Sequence, residues 1–267
     1  MPRLPDSGRG GDKTVPPTDV TSDSQTVAER FRAAWTGPAD KSTAIPELLP
    51  VRLARACVQV LPVSGAGLSL LDHDFRVPVG SSDDMATHAE RLQFTQGEGP
   101  CLDAAREHQV IVAAADEIER RWPAFGAEFL KHTPYRGVVS LPVRLSGNTV
   151  GALDLFLKNE QDLGRLSIAD GVTVTQQITD ALAVAHAITK SATAWSDEPE
   201  PLWLQSSSAR NRTNVWVAMG MLMTRMDVPA ADALSVLRAY SYGHDAVLDD
   251  VADELVKGTL DVAEVQR

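Results

Sequence analysis

The 267-residue chain predicts an α+β fold, an antiparallel sheet flanked by helices, followed by an all-α three-helix bundle. Three observations carry this. Short apolar strands occur in adjacent pairs joined by turn-prone residues, instead of alternating one for one with helices. A polar stretch holding Pro199 and Pro201 interrupts the chain. Beyond it, three apolar stripes at 3–4 residue spacing are separated by short turns.

Residues 1–42 are expected to be a disordered N-terminal segment. The first 26 are rich in Pro, Gly, Ser, Thr and Asp and cannot bury enough surface to offset chain entropy. A short amphipathic piece, Val27 to Trp35, ends at the breaker pair Gly37-Pro38. The first domain is assigned to residues 45–190. Pro46 to Leu61 reads as a helix, with Leu48, Leu49, Leu53, Ala56, Cys57 and Val60 at helical spacing and Pro near its first turn. Gly65–Leu71 and Arg76–Gly80 read as paired strands, and Ser82–Leu92 as a helix. After the turn Gly97-Glu98-Gly99-Pro100, Val110–Val112 is a short strand and Trp122–His132 a helix. Gly137–Arg144 and Thr149–Leu157 form a hairpin about Ser146-Gly147-Asn148, and Ser167–Ile188 is a long helix.

Residues 191–201 form the linker, stiffened by its prolines. The bundle is assigned to 202–260. Its first helix, Leu202–Met226, carries Val215, Met219, Leu222 and Met226. Its second begins at Pro229 with Ala233, Leu234, Leu237 and Tyr240. Its third, with Leu248, Val251, Ala252, Leu255 and Val256, stops at Gly258.

Composition excludes several classes. With 43% hydrophobic and 23% charged residues the chain is an ordinary core-forming protein. It shows no apolar leader and no run of about 18 apolar residues, so the expectation is a cytoplasmic protein without membrane contact. Cys57 and Cys101 form no CxxC pair; both suit small buried hydrophobes, and Cys101 is also a candidate ligand-contacting or redox-sensitive thiol. The six histidines lack HxxxH spacing, and no haem, nucleotide or metal signature appears; no cofactor is expected. Glu98, Asp103 and Asp116 form no recognisable acid/base set.

Two resemblances add to this reading. Gln93 to Arg106 (QFTQGEGPCLDAAR), Val110–Val112, Asp116, Arg121-Trp122-Pro123-Ala124-Phe125, and the hairpin Val139–Arg144 into Val150–Phe156 resemble a bacterial GAF domain. That implies a sensor with a small-molecule ligand cavity, or a dimerisation platform. The C-terminal part resembles the ANTAR domain, an RNA-binding three-helix module of antitermination regulators. Its carriers are Asn211-Arg212, Val215, Ala218 to Met223, Ala233-Leu234, Leu237 to Ser241, Leu248 and Val251-Ala252. The sequence departs at Met219, where many members have Lys, at Asn211, where Ser is usual, and at Ala209, where Leu is expected. The resemblance implies a dimer that binds paired stem-loops.

Five cations and seven anions between residues 202 and 260 leave a charge of −2, poor for tracking duplex phosphates. Reading splayed loop bases needs fewer cations, only placed groups. The candidate RNA-binding residues are Arg238, Arg212, Asn211, Arg210, Arg225, Tyr242, His244 and Tyr240. Arg238 equally suits a bundle-bracing role, and Tyr240 a core role. Ile178, Leu182, Ala185 and Ile188 form a narrow seam that either zips two chains together or covers the sheet. The function expected is a non-enzymatic, signal-responsive RNA-binding regulator of termination, antitermination or translation. The alternatives are a ligand-responsive DNA-binding regulator and a GAF-type free methionine sulfoxide reductase using Cys101.

Overall fold

A computed structural model describes residues 25–37, 48–72, 75–192 and 207–266. In chain order the first unit contains α1 (Val27–Thr36), α2 (Leu49–Val60), β1 (Gly65–Asp72), β2 (Phe75–Ser81), α3 (Asp84–Gln96) and α4 (Pro100–Glu107). It continues with β3 (Ile111–Ala114), α5 (Ala115–Arg121), α6 (Pro123–His132), β4 (Gly137–Leu145), β5 (Asn148–Leu157), a 3-10 turn and α7 (Ile168–Ala192). The second unit holds α8 (Ser207–Met226), α9 (Ala230–Gly243), α10 (Leu248–Lys257) and α11 (Val262–Val265). The expected linker lies almost wholly outside the described residues, as do 1–24 of the expected disordered segment.

The five strands form one antiparallel sheet in the order β2-β1-β5-β4-β3. Ser146 and Gly147 both take positive φ, 51° and 86°, between the paired residues Leu145 and Asn148. Two central residues with φ > 0 make the type I′ turn whose twist matches the flanking strands.

The period of two along the strands sorts the core onto two faces. Val139, Leu141, Val143, Leu153, Leu155 and Leu157 pack with Leu53, Cys57, Val174 and Ile178 of α2 and α7. On the other face Val138 and Phe156 join Ala89, Ala104, Ile118, Phe125 and Phe129 from α3 to α6. Part of the expected disordered segment is ordered. Helix α1 begins with a capping box between Thr26 and Glu29. It buries Phe31 completely beneath α2 and α7, so residues 27–36 complete the first face.

The seam on α7 resolves as sheet cover. Ile178 and Leu182 are buried against the first face, with Ala185 packed on the same cluster. Their apolar surface is covered within the chain, the second of the two roles that the spacing allows. The side chain of Ile188 lies outside the described residues.

In the bundle, Val215, Ala218, Met219 and Leu222 pack on Ala233, Leu234 and Leu237, and on Leu248, Val251, Ala252 and Leu255. Met219 is 4% exposed. A lysine at this position would bury its ammonium in the core, so the apolar residue is a packing choice and not a lost phosphate contact. One further member of this core comes from the sheet domain: Phe94, near the end of α3, is 3% exposed. The two units share a core. No helix among the described residues is long and apolar enough to cross a membrane.

Candidate functional site at the sensor–bundle interface

Helix α3 connects a buried polar cluster to the bundle. It starts at Asp83, whose carboxylate accepts the Ala86 N–H, and ends at Gly97 with φ 70°. Glu90 and Gln93 face inward; Arg91, Phe94 and Thr95 face the bundle.

Inside, Arg76 of β2 donates from Nε to Ser69 Oγ at 2.9 Å and from Nη1 to the Glu90 carbonyl at 3.1 Å. Its Nη2 pairs with the Glu90 carboxylate and lies 3.7 Å from Asp154 Oδ2. Gln93 donates to Asp154 at 2.6 Å and accepts the Cys101 N–H at 3.0 Å, and Ser140 donates to Asp154. All these side chains are essentially inaccessible. Gly67 makes the room: a Cβ there would stand 2.6 Å from Glu90 Cγ.

Two carboxylates share one guanidinium, so the cluster favours retaining a proton. Burial first, and Asp154 next to it, push the Glu90 carboxyl well above the ordinary carboxylate range despite Arg76. A carboxyl whose pKa is higher folded than unfolded stabilises the fold fully below the unfolded value of 4.5, and that contribution is lost as pH rises through the folded value. The stability of wild type relative to Glu90→Gln is therefore expected to fall as pH is raised from about 4.5. Urea midpoints of the two proteins across pH 5–8 test this; a constant difference would mean that Glu90 is ionised throughout.

Burial likewise pushes the Cys101 thiol well above its usual value, so the nucleophilic thiolate is disfavoured. Cys57 lies on α2, across the sheet from Cys101 on α4. The two cannot form a nucleophile and resolving pair without taking the sheet apart. Cys101 lines neither of the two cavities described below.

The GEGP turn proves architectural. Gly97 ends α3, Gly99 at φ 143° begins α4, and Pro100 occupies its first turn. Glu98 accepts the N–H groups of Ala124 and Phe125 at 2.7 and 3.0 Å, capping α6. Asp103 accepts from Trp122 Nε1 at 3.0 Å.

On the outer side the units exchange helix caps. Val247, preceding α10, supplies no side-chain cap; Thr95 Oγ1 of α3 instead accepts the Leu248 N–H at 3.1 Å. Arg238 of α9 returns the favour, donating Nε and Nη2 to the Phe94 carbonyl at 3.3 and 3.2 Å, with Cζ 5.5 Å from the Phe94 ring centroid. A cation there also suits the negative end of the α3 dipole. Burial, and then Arg106, hold the Arg238 guanidinium below its ordinary pKa. Arg91 bridges Asp249 and Asp250 in the first turn of α10. Beside these contacts an open cavity of about 420 Å³ lies between the units, lined in part by His88, Glu128, His132, Tyr242 and Asp245. A second, of about 180 Å³, lies by His108, Arg144 and Gln176 at α7.

Among the described residues, the predicted RNA-binding side chains do not form one patch. Arg238 is engaged in the interface, which is the bracing role. Tyr242 is 66% exposed, at the end of α9. Tyr240, half-buried on the bundle core, stacks on His244 with centroids 3.9 Å apart. Arg225 is exposed near the start of α9, about 20 Å from Tyr242 along a 14-residue helix. Arg210, Asn211 and Arg212 lie early in α8, and their side chains are outside the described residues. Sequence reading missed Phe94, Thr95 and Arg91, whose partners lie some 150 residues away. It also missed Glu128 and His132, one helical turn apart.

The described residues thus form an antiparallel sheet sheathed by helices on both faces, with a buried ionisable cluster under the helix that meets a second unit. A family model described as GAF domain matches residues 42–185, and the chain belongs to that family. GAF domains typically serve signal sensing. The bundle lies beyond the matched residues. No curated protein sequence matches the chain. Among solved structures it is similar to the GAF domain of a phosphoenolpyruvate-protein phosphotransferase from Coxiella burnetii, at 18% identity and TM-score 0.44, covering 61% of this chain and 94% of that one. It is also similar to the GAF domain of a two-component sensor histidine kinase from Bacillus halodurans (16%, TM-score 0.33, 46% and 80%). A third is fRMsr of Staphylococcus aureus in complex with substrate (12%, TM-score 0.38, 59% and 96%).

Proposed function

We propose that the chain is a signal-responsive, non-enzymatic regulator in which the GAF sensor governs a C-terminal RNA-binding bundle of the ANTAR type. The bundle reads paired stem-loops in mRNA leaders and so controls termination, antitermination or translation. The observation that carries the reading is the exchange of caps at α3. Arg238, the bundle arginine best suited to a base or phosphate, is held by the very helix whose inner face forms the buried cluster. A signal that shifts α3 alters the exposure of Arg238.

Charge pairing supports selective loop reading. Of the seven acids in the bundle, Asp249 and Asp250 are paired with Arg91, Asp245 with Lys131 and Asp253 with Lys257. Their repulsion toward RNA is thereby reduced, while the exposed ring of Tyr242 offers a stacking surface. The same balance is poor for duplex DNA, where affinity rests on phosphate neutralisation. The placement of the cysteines on opposite faces of the sheet weighs against the reductase reading. Pairing of two chains remains part of the proposal, through a surface other than Ile178 and Leu182.

The test is RNA recovery from cells with wild type, followed by measured binding of the recovered hairpins and a duplex DNA control. Arg238→Ala is expected to weaken hairpin binding by about 1–3 kcal/mol. Arg91→Ala, which loosens the interface, is expected to tighten it. Recovered RNA without paired stem-loops, or equal binding to the DNA duplex, would sink the proposal.

A further inference from the structure

The geometry points to a divalent-cation site of the zinc type, built jointly by the sensor and the bundle. Glu128 and His132 project from one face of α6, four residues apart. Asp245, in the turn after α9, reaches the same point from the bundle. One ligand atom from each of the three lies within 4.8 Å of the others. An ion bonded at ~2.0–2.2 Å holds such donors ~3.4 Å apart, so small side-chain rotations close the set on it.

The surroundings fit an ion as well. The three residues line the open 420 Å³ cavity, which leaves space for water at a remaining coordination position. His88 lines the same cavity, its ring 6.2 Å from that of His132 and nearly perpendicular to it. Lys131 Nζ stands 3.7 Å from Asp245 Oδ1, so this carboxylate already draws a cation to the seam. Lys131 is 58% exposed and free to swing away. Imidazole with carboxylates suits zinc and its first-row neighbours; magnesium prefers an octahedron of oxygens.

Because the ligands come from both units, the ion binds the docked arrangement and not the separated one. Ion concentration and docking are then reciprocally linked, and an ion at a hundred times its dissociation constant shifts the docking equilibrium about a hundredfold. This site does not depend on what the bundle binds.

Calorimetric titration of zinc chloride into the metal-free full chain tests it. Wild type and a His108→Ala control are expected to take up one equivalent with equal affinity. His132→Ala and Asp245→Asn are each expected to lose at least tenfold, as even outer-shell changes commonly do. Both residues are exposed, and asparagine tolerates the φ of 51° at 245, so the fold should persist by circular dichroism. No uptake by wild type, or equal affinity in all four proteins, would overturn the site. Loss in His132→Ala but not in Asp245→Asn would overturn its joint character.

Discussion

Replacing Phe94 with alanine is expected to split the unfolding of this protein into two transitions. Phe94 belongs to the sheet domain by chain position and to the bundle by packing, and its removal leaves a cavity in the bundle core. Loss of a buried phenylalanine costs about 3–5 kcal/mol, enough to consume much of the stability of a unit as small as the bundle. Neither face of the sheet loses a core member, so the sensor should retain its own transition. Differential scanning calorimetry reads the result directly. A single transition, shifted by only a degree or two, would mean that the bundle is held by its own core and that Phe94 is incidental. Under the proposed function the same variant frees Arg238 and should bind hairpin RNA more tightly than wild type.

The second large effect is expected at Gly67, in the sensor. Any side chain here meets Glu90, with a Cβ 2.6 Å from its Cγ. Overpacking costs about 1–3 kcal/mol in a core that can adjust. This one adjusts poorly, because moving Glu90 deprives Arg76 of a principal partner, and a broken buried pair costs ~3–5 kcal/mol. Gly67→Ala should therefore lose about 3 kcal/mol in urea denaturation, at the top of the overpacking range. A loss below about 1 kcal/mol would show that Glu90 has room to retreat.

What was legible in the sequence follows the range of the forces involved. The β4–β5 hairpin was readable because the positive φ at Ser146 and Gly147 is a local demand. Helices α2, α7, α9 and α10 were readable because each presents an apolar stripe over about three turns or more. Helices α4 and α5, at eight and seven residues, are too short to display a period and carry no assignment from sequence. The α7 seam shows a different failure. Ile178 and Leu182 have the same spacing whether they meet a sheet or a second chain, and periodicity cannot choose between the two. The site was the least visible. Arg238 and Phe94, or Arg91 and Asp249, are brought together only by docking, so Arg238 could be recognised as special while its partner could not be named. Met219 was legible as a core residue from its place in the apolar stripe with Val215 and Leu222.

The shared core also has a consequence in time. Phe94 and its bundle neighbours Val251 and Leu255 are separated by more than 150 residues, the kind of distant contact that forms late in folding. During synthesis at about 5–20 residues per second, the sensor emerges whole well before α10 does. For those seconds the end of α3 is naked, presenting an aromatic ring, a helix terminus without Arg238 and Arg91 without its aspartates. The nascent chain therefore passes through a stage in which this face of α3 is uncovered, and the first occupant of that face need not be the bundle.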